Sequence, residues 1–83
     1  MKTIRLSSHA SEQISFRGCS EAEVIEAIRS CAWQPAELGR QECRLILPYD
    51  REWNGKRYAT KTIRPIFVEE ERIIVVTVYV YYD

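Results

Sequence analysis

The sequence predicts an α+β domain, with two N-terminal helices packed on one face of a three-stranded antiparallel sheet. Three observations predict it. Ser20-Glu21-Ala22-Glu23 is a capping box opening a stripe of apolar residues at helical spacing. From Glu42 onward the apolar period falls to two, the period of a strand. Asn54-Gly55 then sits between two alternating segments, the strongest short-range hairpin signal. With 83 residues and 46% hydrophobic content, the chain is expected to form one domain over residues 1–83.

The first helix takes Ser7 or Ser8 as its N-cap, runs over residues 9–16, and ends at Gly18, the residue that most easily adopts a left-handed cap. Ala10 and Ile14, four apart, supply its small apolar face. In the second helix Val24, Ala27, Ile28 and Cys31 fall at i, i+3, i+4 and i+7, while Glu21, Glu26 and Arg29 take the wet side. It should stop near Ala32 or Trp33, ahead of Pro35.

The first strand begins at Glu42, where Cys43, Leu45, Leu47 and Tyr49 alternate with Arg44, Ile46 and Pro48. Residues 57–68 return, Glu69-Glu70-Glu71 turns the chain again, and residues 72–82 form the third strand. An uninterrupted hairpin closed at Asn54-Gly55 would set Leu45 against Arg64 and Leu47 against Thr62, mixing apolar and polar groups on one face. Pro65 has no amide hydrogen for a ladder. A bulge shifting the register is therefore expected. In the last strand Ile74, Val76, Val78 and Val80 make an aliphatic face, expected to meet the helices. Ile73, Val75, Thr77, Tyr79 and Tyr81 make the other, which turns polar and aromatic toward its end.

Charge and cysteine usage narrow the function. Lys plus Arg equals Asp plus Glu, so no global field points to nucleic acid or membrane. Locally, Arg40, Arg44, Arg51, Lys56, Arg57, Lys61 and Arg64 outnumber the acidic residues between Trp33 and Val68, a surplus able to seat a polyanion. Cys19, Cys31 and Cys43 form no C-x-x-C pair, and with one histidine a zinc site is not expected; neither metal nor cofactor is implied. Met1-Lys2-Thr3-Ile4-Arg5 lacks the apolar segment of a signal peptide, and the apolar C-terminal run is too short for a spanning helix. A cytoplasmic setting with free thiols and no membrane contact is the expectation.

Two residues carry the clearest chemistry. His9 is the one side chain whose ordinary titration lies near neutrality, so it can move a proton to or from a ribose or phosphate oxygen. Arg17 follows eight positions later, rotated by about 80° around the helix. Its planar fork suits a phosphate oxygen. The competing readings are a capping histidine and an arginine bonding the carbonyls of its own helix end. Arg64 is a second phosphate clamp or else the partner of Glu42 or Glu70 in an ion pair. Tyr79 can stack on a base or donate a proton, and Thr77, Tyr81, Arg57 and Lys61 are the remaining substrate-binding candidates. Cys19, lacking a histidine to serve it, reads as an inert thiol.

The phrases Ile4-Arg5-Leu6-Ser7-Ser8-His9-Ala10, Arg17-Gly18-Cys19-Ser20 through Glu23-Val24-Ile25-Glu26-Ala27-Ile28, Ile63-Arg64-Pro65-Ile66 and Ile73-Ile74-Val75-Val76-Thr77-Val78-Tyr79 resemble, in order and spacing, the bacterial domain-of-unknown-function family 4258. Pro65 departs from that pattern, and residues 42–57 are longer and more charged than the family suggests. Through it the chain looks distantly like RelE-type and barnase/EndoU-type ribonucleases. The resemblance implies a small metal-independent ribonuclease, the toxin of a toxin–antitoxin pair, with His9, Arg17, Arg64 and Tyr79 catalytic, RNA as substrate and a small antitoxin as partner. The alternatives are a non-catalytic RNA- or protein-binding module and a homodimer burying Tyr79, Tyr81 and Tyr82.

Overall fold

The Ser7 hydroxyl accepts the Ala10 amide at 3.1 Å, and helix α1 then runs Ser8–Arg17. This is the N-cap bond that satisfies an otherwise orphaned donor. The computed structural model describes residues 2–83. Gly18 closes α1 in the left-handed region, at φ 70°. Helix α2 (Glu21–Ser30) opens with the expected reciprocal box: the Ser20 hydroxyl accepts the Glu23 amide at 3.1 Å, and the Glu23 carboxylate accepts the Ser20 amide at 2.9 Å. The helix ends at Ser30, slightly before the predicted stop. There the Trp33 indole donates to the Ile28 carbonyl at 2.8 Å, satisfying an acceptor that the helix end leaves open.

The three-stranded antiparallel sheet is overturned. The sheet is six-stranded and mixed, in the order β1-β6-β5-β3-β2, with β4 also on β5. Its members are β1 (Ile4–Leu6), β2 (Gln34–Pro35), β3 (Gln41–Glu42), β4 (Leu45–Trp53), β5 (Lys56–Glu69) and β6 (Ile73–Tyr82). β1 pairs with β6 in parallel, Ile4 opposite Ile73 and Leu6 opposite Val75. Three residues are too few to display a period. Ile4–Leu6 is a strand because β6, at the far end of the chain, offers it an edge. β2 and β3 are equally short, and their polar residues carry no alternation.

β3 and β4 share one register along β5, Glu42 standing opposite Ile66 and Leu45 opposite Ile63. Cys43 and Arg44 between them lie outside the strands. That register sets Cys43 against Pro65, which has no amide hydrogen to give, so the interruption falls where the ladder lacks a donor.

The expected bulge is present between Pro48 and Arg51, with Asp50 at φ 48°. It places Leu45 against Ile63 and Leu47 against Lys61. The hairpin closes at Asn54 and Gly55, whose φ of 51° and 84° give the two positive values that a type I′ turn requires.

A second bulge corrects the face assignment of the last strand. Ile66 pairs with Thr77 but Phe67 pairs with Val75, so Val76 is an extra residue. One inserted residue reverses the alternation beyond it. Ile73 and Val75 are therefore buried together with Val78, while Ile74 and Val76 are half-buried. The core joins Ile63 and Phe67 of β5 and Val75 and Val78 of β6 to Ala10 of α1 and Val24, Ala27 and Ile28 of α2.

α1 also finishes the β6 edge where β1 stops. The Gln13 side-chain carbonyl accepts the Val78 amide at 2.9 Å and the Thr77 hydroxyl at 2.6 Å. Arg17 donates to the Val78 carbonyl at 2.6 Å. A strand edge left bare would carry unpaired backbone groups; here helix side chains take them.

Candidate functional site

The two faces of the sheet separate the predicted residues. Arg64 and Lys61 lie three apart on β5, and alternation sends them to opposite sides. Lys61 is turned toward the helices and buried, donating to the Gly18 carbonyl at 2.8 Å and pairing with Glu23 at 3.0 Å. It is a clamp on the α1–α2 elbow, remote from the other face. Arg57 sits near the hairpin tip, exposed, and pairs with Asp50 at 3.0 Å. Neither joins the other candidates.

On the outer face Arg64 stands directly opposite Tyr79. Its guanidinium carbon lies 5.3 Å from the Tyr79 ring centroid, and Nη1 donates to the Tyr81 hydroxyl at 3.1 Å. Nε donates to the Glu42 carboxylate at 2.8 Å, which realises the predicted ion pair with Glu42. The Tyr81 hydroxyl and then Glu42 hold the Arg64 charge more firmly than usual. Arg17 reaches the same tyrosine from α1, its guanidinium carbon 5.6 Å from the Tyr79 centroid. Thr77, Tyr79, Arg64 and Glu42 line an open cleft of about 570 Å³ with Arg40 and the 35–38 segment. Five predicted residues (Arg17, Arg64, Thr77, Tyr79 and Tyr81) thus gather on one surface.

His9 is exposed on α1. Gln13 and Arg17 follow it at i+4 and i+8, within an arc of about 80°. Those two bond the β6 edge, whereas His9 stands about two turns from Arg17 and lines neither the Tyr79 cleft nor the Tyr81 hollow. No hydrogen bond among the described residues orients its ring.

Gln13 and Arg40 were missed. Gln13 could have been found midway between His9 and Arg17 on the helix face. Arg40 stands out in the sequence only as one of the basic surplus, because it reaches the cleft only through the loop that follows β2. Among the described residues no cluster of His, Cys, Asp and Glu suits a metal ion, and no helix is long and apolar enough to cross a membrane.

The surroundings of the thiols fit the inert reading of Cys19. Burial, then Glu23, pushes the Cys19 thiol up to about 12, and burial does the same for Cys43. Both should stay protonated at pH 8. Alkylation of these two thiols in the folded chain should run more than a hundredfold slower than in denaturant. Equal rates in the two states would contradict it.

Comparison with known protein families, with characterised proteins and with solved structures gives no match.

Proposed function

We propose that the chain is a small metal-independent endoribonuclease of the toxin type. The observation that carries this is the convergence of two guanidinium groups, from α1 and β5, on the exposed Tyr79 ring. Two arginines hold a phosphodiester and stabilise charge growing on phosphorus without a metal. Arg17 lends its charge to this most freely, since its guanidinium bonds a neutral carbonyl, that of Val78. His9, on the same helix face, is the group to take the 2′-hydroxyl proton or give one to the departing 5′-oxygen. The resemblance of the sequence phrases to family 4258, and through it the distant likeness to RelE-type ribonucleases, agrees with this reading, and an antitoxin would then cover this face.

The test is cleavage of single-stranded RNA in the presence of a chelator. The wild-type chain should cut, with Arg64→Ala and His9→Ala each slower by on the order of a hundredfold. Induced expression should arrest growth, and His9→Ala should relieve it. RNA that stays intact, or variants that cut as fast as the wild type, would remove the enzymatic reading.

A second reading is a non-catalytic RNA-binding module. The unoriented His9 ring and the engagement of Arg64 by Glu42 favour it. Binding with a steep salt dependence and no products would select it.

A further inference from the structure

Tyr79 and Tyr81 stand two apart on the outer face of β6, exposed by 39% and 41%, with rings only 14° from parallel. Their centroids are 6.5 Å apart. That is close to twice the roughly 3.4 Å rise between stacked bases. Near-parallel rings at this repeat present a flat aromatic platform on which an unpaired base can stack. Residues on one face of a strand repeat every second position, so the spacing is built into β6 itself.

The charge around this pair is equally specific. Arg64 bridges it, over the Tyr79 ring and bonded to the Tyr81 hydroxyl. Arg17 lies against Tyr79 from the strand edge, and Arg40 lines the cleft that Tyr79 shares. Arg44 borders Tyr81 from the other side, in a hollow with Ile46 and Thr62. Among the described residues Arg17, Arg40 and Arg44 have no carboxylate within ion-pair distance; Glu42 answers Arg64 alone. Arginines on both sides of an aromatic pair match a ligand that alternates flat rings with negative charges, although Glu37 lines the cleft beside Arg40 and Asp83 the hollow beside Arg44.

We infer that the outer face of β6 is a seat for single-stranded RNA. An unpaired base stacks on the exposed Tyr79–Tyr81 platform, and the flanking phosphates lie on Arg17 and Arg44. This rests on the ribonuclease reading and specifies its substrate as unpaired RNA. Duplex RNA keeps its bases stacked inside the helix, so it cannot lay one on the platform.

The experiment measures binding by fluorescence anisotropy with the His9→Ala chain, so that no strand is cut. The probes are a labelled single-stranded oligoribonucleotide, its duplex, the DNA strand of the same sequence, and an abasic strand of the same charge. The intact RNA strand should bind at least tenfold more tightly than the duplex or the abasic strand, and more tightly than the DNA. Tyr81→Ala should weaken intact single-stranded RNA by roughly tenfold and leave the abasic strand unchanged. Tyr81→Phe, which keeps the ring but loses the bond from Arg64, should weaken intact single-stranded RNA less than Tyr81→Ala does. Arg44→Ala should weaken every probe alike and reduce the salt slope by about one. Abasic and intact strands bound equally, or Tyr81→Ala weakening both by the same factor, would overturn base stacking on the tyrosine pair alone. DNA bound as well as RNA would overturn the choice of RNA. If no polynucleotide binds at all, the ribonuclease reading falls with it.

Discussion

Gly18→Ala is expected to lower the stability of the folded chain by roughly 3 kcal/mol, a fall in melting temperature on the order of 15 °C. Gly18 holds a φ of 70°, where an alanine costs about 1–2 kcal/mol on backbone grounds. The rest is steric. A Cβ at this position would lie 2.6 Å from Trp53 Cζ3 and 2.6 Å from the Tyr82 hydroxyl oxygen. Neither ring yields easily, because Trp53 stacks on Tyr82 at 4.8 Å and the Tyr82 hydroxyl donates to the Arg17 carbonyl at 2.6 Å. Gly55→Ala is the control: its φ of 84° is also positive, but nothing lies within 4 Å of the added carbon. Chemical denaturation of both variants separates conformational cost from contact. Equal losses at the two glycines would show that the hairpin does not press on the helical elbow.

Lys61→Met should cost roughly 2–3 kcal/mol. Lys61 is 7% exposed, and its ammonium is shared between the Gly18 carbonyl and the Glu23 carboxylate. Removing it strands Glu23 beside an apolar wall, and a charge left unpaired is the expensive outcome. Glu23 keeps a quarter of its side chain in water, 26%, so the loss falls below that of a fully buried pair. The double variant Lys61→Met, Glu23→Gln should recover about 1 kcal/mol, since glutamine preserves the capping box without the charge. No recovery would mean that the two side chains are not coupled.

The same pair sets a pH dependence. Burial pushes the Glu23 carboxyl up, but the Ser20 amide and the Lys61 ammonium outweigh burial and hold it below its ordinary value. A carboxyl lowered in the folded state stabilises at pH above its unfolded value, about 4.3, and that contribution disappears as pH falls through the folded value. The stability gap between wild type and Glu23→Gln should therefore narrow below about pH 4. A gap unchanged from neutral to acid pH would rule out Glu23 as the titrating group.

Local chemistry was legible wherever a few neighbouring residues sufficed. The Ser20–Glu23 box, the Gly18 stop and the Asn54-Gly55 turn each involve short-range bonds, and the side chains alone announce them. The bulge near Pro48 was also readable, because the unshifted register set Leu45 against Arg64. The bulge at Val76 was not. Ile73 to Val76 are all aliphatic, so no polar residue marks which position is extra, and the predicted inward face came out wrong for Ile74 and Val76. The candidate site divides in the same way. Arg17, Arg64, Tyr79, Tyr81 and Thr77 were chosen for their chemistry and meet on one surface, whereas Arg57 and Lys61 were chosen for charge alone and lie elsewhere.

The order of residues by itself determined two capped helices, a hairpin with its turn, and a set of side chains suited to phosphate and bases. Only the tertiary structure decided that Ile4–Leu6 is a strand, that the sheet is mixed, and that Arg17 and Arg64 share one tyrosine ring. The reason is separation along the chain. A cap or a turn is a balance among adjacent groups, but an edge strand exists only once its distant partner is in place. The parity of a bulge likewise decides which face of the sheet every later side chain meets.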